Sequence, residues 1–374
     1  MIINKEHTNN TCTNDILQPL LKMGWDSHFQ THLNNICNEK VFPARVVGVR
    51  KNSFLISQGN SESLATATGK LNHQKEKLFP VTGDWVLVND KVISAVLPRK
   101  NTLSRGAAGT HGKQGSQPSK EQIIAANLDT VFIVCGLDQD FNMRRLERYL
   151  TLVYNCGLTP SIILTKADLH QNPEHYVFEV ETVAFEVPVH CISAKDSIGL
   201  ASLEPYLSQG RTIAMVGSSG SGKSTLVNRL SGKTMQATDL ISESVGKGKH
   251  TTTSRSLIMM PQGGMVIDNP GIREIGFWDD GGGLNVAFPE IENLANTCRF
   301  HDCSHTHEPG CQVLHGVTTG AIRKDRLDSY QKMKRELAYL SDRQTKSADR
   351  VEKERWKEVS LKIKAINNRR TNHS

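Results

Sequence analysis

The sequence predicts an α/β chain in which a phosphate-binding sheet domain follows a small β-barrel and precedes a metal-holding helical module. Three observations carry this. Gly217-Ser218-Ser219-Gly220-Ser221-Gly222-Lys223-Ser224 lies between an apolar strand over 212–216 and a helix over 225–230. Two shorter motifs, Thr165-Lys166-Ala167-Asp168 and Ser193-Ala194, each follow an apolar strand and come before that loop. Cys298, Cys303, His305 and Cys311 fall within fourteen residues of one another.

In a Gly-x4-Gly-Lys-Ser loop the glycines let backbone N–H groups curl around phosphates at a helix N-terminus. Lys223 then reaches the β and γ oxygens, and Ser224 offers its hydroxyl to Mg²⁺. Thr225, the first residue of the helix, is expected to bind the nucleotide with them. A Gly/Ser-rich surface turn has no need of a strand before it and a helix after it.

The residues that read the base decide between ATP and GTP. Asp168 can accept two hydrogen bonds from the guanine N1–H and exocyclic amine, a pair of donors that adenine lacks. Lys166 would lay its stem over the base, the Ala194 N–H would meet the guanine O6, and Thr165, Ala167 and Ser193 complete the expected nucleotide-binding set. Strands 161–164 and 187–192 place both motifs at strand C-termini, where α/β sheets bind ligands. Asp268-Asn269-Pro270-Gly271 follows strand 264–267. There Asp268 would hold Mg²⁺ through water and the Gly271 N–H would meet the γ-phosphate. An ordinary GTPase has the phosphate loop first and the base-reading motif late, so the reversed order here describes a circularly permuted P-loop GTPase domain.

Between the phosphate loop and Asp268 lies Gly246-Lys247-Gly248-Lys249-His250-Thr251-Thr252-Thr253, basic and rich in hydroxyls, where such a domain keeps its first switch. One of the three threonines, with Thr251 the first candidate, would complete the Mg²⁺ shell; a Thr-rich edge strand is the plainer reading. Ile272 stands where many GTPases carry a water-orienting Gln. His250 is therefore the candidate that aligns the attacking water, by positioning more than by strong base catalysis.

Three cysteines and a histidine in Cys298-x4-Cys303-x-His305-x5-Cys311 fit a closed tetrahedral Zn²⁺ site, structural because protein fills all four positions. His301 and His307 are rival ligands. Glu308-Pro309-Gly310 supplies the turn back to Cys311. The other five cysteines are scattered and read as reduced. No apolar run approaches the roughly 20 residues that span a bilayer, and the polar start is no signal peptide. The cytoplasm is the expected location.

The chain's net charge of +7 resides in its last part: residues 321–374 hold 16 Lys/Arg against 8 Asp/Glu, and everything before them sums to −1. This tail reads as two helices, one with Leu327, Tyr330, Leu337 and Leu340 on its apolar side, the other with Trp356, Val359, Ile363 and Ile366. Next to a zinc module, such a basic surface points to an RNA partner ahead of a membrane. Residues 41–105 alternate as short strands (44–49, 53–56, 84–88, 91–96) separated by Gly and Asn/Asp turns, which suggests a five-stranded barrel like the oligonucleotide-binding fold. Arg99 to Arg105 form a basic exit strip. The expected division is an N-terminal extension over 1–40, the barrel over 41–105, a linker over 106–121, the GTPase domain over 122–280, and the zinc module with its tail over 281–374.

In order, the barrel, Arg99-Lys100-Asn101-Thr102, Asn127-Leu128-Asp129, Thr-Lys-Ala-Asp, the phosphate loop, His-Thr-Thr-Thr, Asp-Asn-Pro-Gly and the Cys3His motif closely resemble the ribosome small subunit-dependent GTPase A (RsgA) family. The resemblance covers about residues 41–320, with Thr165 where Asn is common. It implies a monomer that hydrolyses GTP to GDP and phosphate, stimulated by the small ribosomal subunit and its rRNA, during late subunit maturation. The rival expectation is an RNA-binding assembly factor that uses its nucleotide site as a switch with negligible turnover.

Overall fold

The computed structural model describes residues 18–36, 41–69, 71, 79–106, 121–232, 256–268, 277 and 282–345, and near the C-terminus 353, 356, 357 and 360. The chain divides into two compact units, Met1–Leu103 with Ile123–Glu274, and Ser104–Gln122 with Ile275–Ser374.

The first unit begins with α1 (Ser27–Asn34), whose N-cap Asp26 accepts from the His28 N–H. Five strands follow: β1 (Phe42–Val49), β2 (Phe54–Ser57), β3 (Glu62–Ala67), β4 (Trp85–Asn89) and β5 (Val92–Val96). β1 pairs antiparallel with both β2 and β4, β3 lies parallel to β5, and β4 pairs antiparallel with β5. The order 1-2-3-5-4 thus returns to β1 and closes a barrel. Ala44 and Val46 from β1, Phe54 and Ile56 from β2, and Val86 and Val88 from β4 fill its interior at the two-residue period that sends alternate side chains to one face.

The residues ahead of the barrel belong to this unit. Trp25 meets Trp85 edge-on at 4.8 Å, and Phe29 lies 5.7 Å from the same ring. Beside them Arg45 is buried on the outward face of β1. Its guanidinium donates to the carbonyls of Met23, Gly83 (3.3 Å) and Asn127 (3.2 Å) and stacks 5.5 Å from the Trp85 centroid. Burial pulls its pKa down to about 10 against the opposing charges of Asp129 and Asp84, so it remains a cation at neutral pH.

β6 (Thr102–Gly106) and β7 (Glu121–Ala126) form a two-stranded ribbon. The linker expected between them lies outside the described residues, apart from its end residues Gly106 and Glu121. The exit strip is engaged internally: Arg99 grips buried Asp84 with two bonds of 2.7 Å, and Lys100 pairs with Asp26.

The second sheet region contains β8 (Thr130–Gly136), β9 (Pro160–Thr165), β10 (Val189–Cys191), β11 (Thr212–Val216), β12 (Ser256–Met259) and β13 (Met265–Asp268). Its order is 10-9-8-11-13-12, parallel except for β12. β8, β9 and β11 are buried along their whole length, as parallel strands covered on both faces are. Helices α2 (Met143–Asn155), α3 (Glu174–Glu181) and α4 (Lys223–Ser231) belong to this region. β12 pairs antiparallel with β1 at Ser256 and Gly48, so barrel and nucleotide-type sheet form one run of eleven strands.

The second unit contains α5 (Gly283–Ala287), α6 (Pro289–Ala295), α7 (Gln312–Thr318) and α8 (Lys324–Thr345). Leu327, Tyr330, Met333, Leu337 and Leu340 line the buried side of α8 at helical spacing, including the four residues read as its apolar side. Arg326 is buried with them, donating to Glu290 at 2.7 Å and to the Ala287 carbonyl at 2.6 Å. Trp356 is exposed, while Val359, Ile363 and Ile366 lie outside the described residues.

Candidate nucleotide site and metal centre

The phosphate loop leaves β11 at Gly217, with φ of 151°. A Cβ there would stand 2.3 Å from the Val134 carbonyl oxygen, so only glycine lets the loop cross β8 so closely. Ser219 and Gly220 form the exposed turn, and Gly222 at φ 95° starts α4 against the Thr165 side chain. Lys223 folds back and donates to the carbonyls of Gly217 (2.7 Å) and Ser218 (2.5 Å) and to Ser221 Oγ (3.2 Å). Ser224 and Thr225 are exposed on the first turn of α4.

The base-reading turn stands at the end of β9, beside β8. Lys166 takes the left-handed conformation, φ 61°, and opens a 3-10 turn over Ala167–Leu169. The Ala167 N–H donates to the Ile192 carbonyl at 3.1 Å, tying this turn to the one after β10. Ser193 donates to Asp168 Oδ1 at 2.7 Å and accepts from the Asp196 N–H at 3.1 Å. Ala194 follows, half-buried. Thr165 donates to the Ser221 carbonyl at 2.6 Å, a direct link from base-reading motif to phosphate loop. These motifs meet at the C-terminal ends of parallel strands of one sheet, β10 and β9 on one side of β8 and β11 on the other, the edge at which α/β sheets bind ligands.

Asp268 closes β13, half-buried. Burial raises the pKa of its carboxyl above the usual value, and the Lys223 ammonium offsets part of that. His250, Thr251, Thr252, Thr253, Gly271 and Ile272 lie outside the described residues.

Three residues absent from the sequence reading also belong to this region. Asp138 accepts from Lys166 Nζ at 2.6 Å, Asp140 accepts from the Ser218 hydroxyl, and Arg145 pairs with Asp140. Their signal was positional: Gly136-Leu137-Asp138-Gln139-Asp140 leaves the C-terminal end of a buried parallel strand, which is where side chains of α/β sites originate.

In the second unit, the ligand atoms of Cys298, Cys303, His305 and Cys311 all lie within 4.8 Å of one another. His305 turns Nδ1 to the sulfurs, 3.7 Å from Cys298 Sγ and 3.5 Å from Cys311 Sγ. Cys311 caps α7 and accepts from the Leu314 N–H at 3.4 Å, while Gln331 of α8 donates to the His305 carbonyl at 2.7 Å. His301 and His307 are exposed outside the cluster. Three soft sulfurs and one imidazole at this spacing could hold a metal ion.

A family model described as RsgA GTPase matches residues 96–278, and one described as 50S ribosome-binding GTPase matches 212–351. The second match begins at β11, the point where the unpermuted motif order would start. A protein named small ribosomal subunit biogenesis GTPase RsgA from Opitutus terrae is 40% identical over 359 residues, covering 91% of this chain and 95% of its own. One of the same name from Methanosarcina acetivorans is 46% identical over 291 residues, covering 76% and 77%. The crystal structure of YjeQ from Thermotoga maritima aligns with a TM-score of 0.57 at 29% identity, over 80% of this chain and 99% of that one. The structure of YloQ, titled a circularly permuted GTPase, shares the fold with a TM-score of 0.55 at 23% identity, over 81% and 96%.

Proposed function

Because this chain belongs to the RsgA GTPase family, we propose that it binds the small ribosomal subunit and there hydrolyses GTP to GDP and phosphate during late subunit maturation. The observation that supports the nucleotide part is the Thr165–Ser221 bond, which ties the turn after β9 to the loop after β11. The names of the relatives from Opitutus terrae and Methanosarcina acetivorans support the ribosomal part.

Asp168, pre-aligned by Ser193, accepts from the guanine edge, Lys166 covers the base and the Ala194 N–H meets O6. The loop from Gly217 to Gly222 presents its N–H groups to the phosphates, and Lys223 leaves the loop carbonyls for the β and γ oxygens. Ser224 and Asp268 are the groups that would hold Mg²⁺ bound with the nucleotide, joined by Thr251 from the switch. When bound, that ion neutralises charge on the phosphate oxygens. His250 orients the attacking water, and the Gly271 N–H steadies the γ-phosphate. Zn²⁺ in the Cys298, Cys303, His305 and Cys311 cluster would act structurally, fixing a segment too small to bury a core of its own.

The barrel and the basic tail provide the rRNA contacts, which makes subunit affinity fall steeply as salt rises. Among the described residues no helix is long and apolar enough to cross a membrane. We place the protein in the cytoplasm as a monomer.

The test is phosphate release from GTP with small subunits, large subunits or neither, for wild type beside Lys223→Ala and His250→Ala. Stimulation by small subunits alone, lost in both variants, is expected. Binding that depends on nucleotide without stimulated release would replace this reading with an RNA-binding switch.

A further inference from the structure

The loop that leaves β8 carries two acidic residues that face opposite ends of the nucleotide site. Asp138 Oδ2 holds the Lys166 ammonium at 2.6 Å, and Asp138 Oδ1 accepts from the Asp140 N–H at 3.1 Å. Asp140 in turn accepts from the Ser218 hydroxyl and from Arg145, and its other oxygen accepts from the Gly136 N–H at 3.3 Å. A continuous chain of polar contacts therefore runs from Lys166 through Asp138 and Asp140 to Ser218. On the phosphate side Ser218 is held twice, since its carbonyl also receives Lys223.

We propose that Asp140 is a positioning residue for nucleotide binding: it fixes the phosphate loop through Ser218 and, with Asp138, couples the setting of that loop to the base-reading turn. The inference rests on the nucleotide-site reading above.

Two features favour positioning over a simple loop closure. A carboxylate that only closed its own turn would need nothing beyond the backbone N–H of Gly136, yet Asp140 reaches a residue 78 positions away in sequence. An uncompensated carboxylate beside a polyphosphate would also repel it. Here Arg145, set in the first turn of α2 by the Asn142 cap, neutralises the same oxygen that Ser218 uses. The Asp140 side chain is only 12% exposed, and Val134, Cys135, Leu146 and Tyr149 line the space around it. Poor access to water strengthens hydrogen bonds to a charged acceptor. Losing such a bond should accelerate nucleotide release about tenfold, the equivalent of about 1.4 kcal/mol.

The experiment is stopped-flow release of a fluorescent GDP from the full chain, for wild type, Asp140→Ala, Asp140→Asn, Ser218→Ala and the Asp140→Ala/Ser218→Ala double variant, with nucleotide-free melting measured on each. Asp140→Ala and Ser218→Ala should each release GDP about tenfold faster or more, and the double variant no faster than Asp140→Ala alone, because the Asp140–Ser218 contact is already lost in it. Asp140→Asn keeps an oxygen acceptor for Ser218 but loses the charge that Arg145 pairs with, so its release rate should fall between wild type and Asp140→Ala. The preference for GTP over ATP should not change in any variant, as Asp168 is untouched. If Asp140→Ala lowers the melting temperature, Ser218→Ala and Asp140→Asn carry the test. Release that is unchanged or slower in Ser218→Ala, or effects that multiply in the double variant, would overturn the proposal. A wild type that binds no GDP would instead defeat the nucleotide-site reading itself.

Discussion

Ser193 donates its hydroxyl to Asp168 Oδ1 at 2.7 Å, so the residue after β10 aims the carboxylate on the neighbouring turn. The same hydroxyl accepts from the Asp196 N–H, which fixes its direction. In the proposed guanine contact, Asp168→Asn removes the carboxylate acceptor and presents an amide donor in its place. GTP affinity should fall at least about a hundredfold, while xanthosine triphosphate, whose C2 carbonyl accepts where guanine donates, should bind better than to wild type. Competition titrations with the two nucleotides check this, and equal losses for both would contradict it. Ser193→Ala should weaken GTP by the smaller factor expected for one hydrogen bond, about 1 kcal/mol.

Thr165→Val keeps the shape of the side chain and removes its hydroxyl. The Ser221 carbonyl then loses its 2.6 Å donor, at a cost of about 1–3 kcal/mol if it stays buried. Equilibrium binding of fluorescent GDP should weaken by about tenfold or more. Thr165→Asn supplies an amide donor at the same place and should bind more tightly than the valine variant.

Arg45→Ala should be among the most destabilising single changes in the first unit. It leaves the Met23, Gly83 and Asn127 carbonyls without their guanidinium and opens a space against Trp85. The expected loss is about 3–5 kcal/mol, read as a lower denaturant midpoint. Arg45→Lys retains the charge but has no planar fork to reach three carbonyls, so it should rescue only part of the loss.

On the proposal that Cys298, Cys303, His305 and Cys311 hold structural zinc, its removal should unfold the short helices of the second unit. One zinc per chain is expected by elemental analysis, lost on treatment with a strong chelator and in Cys303→Ser. Helix signal and protection from proteolysis over 282–345 should fall together, and binding of fluorescent GDP should stay within about twofold of wild type, since ligand cluster and nucleotide motifs lie in separate units. A stable metal-free second unit would count against a structural role.

His190, on β10, is half-buried and lies 3.1 Å from the Tyr206 hydroxyl. Burial lowers its pKa below the ordinary 6.5, so the folded chain favours the neutral ring. A lowered folded-state pKa contributes stability above the unfolded value, and that contribution is lost as pH falls through the folded value. Melting temperature should therefore drop as pH falls below about 6.5, and His190→Gln should flatten that part of the profile.

The motifs of the candidate nucleotide site are legible in the sequence because each is local: apolar strand, short loop, then helix or turn. The same holds for the cysteine cluster, whose ligands span fourteen residues. Contacts made by tertiary structure were hidden. Trp25 and Phe29 carry no meaning until Trp85, some sixty residues on, supplies the face that they cover. Arg45 in an apolar strand reads as an outward charge, and only the fold shows three carbonyls converging on it. β3 is not legible in the sequence because Glu62-Ser63-Leu64-Ala65-Thr66-Ala67 holds a single β-branched residue and little apolar bulk, so its strand state comes from its neighbours β2 and β5. Asp138 and Asp140 resemble ordinary turn residues until Lys166 and Ser218 are seen opposite them.

The pairing of Ser256 with Gly48 has a consequence for how this protein can be divided. β12 is bordered by β13 on one side and by the first barrel strand on the other. A fragment beginning after the barrel would leave β12 as a raw edge, its unpaired N–H and C=O groups open to any passing strand, and such edges recruit further copies into aggregates. The permuted domain thus meets, at Ser256, a strand encoded more than two hundred residues earlier, and a fragment cut after the barrel should aggregate more readily than the whole chain, as light scattering would show.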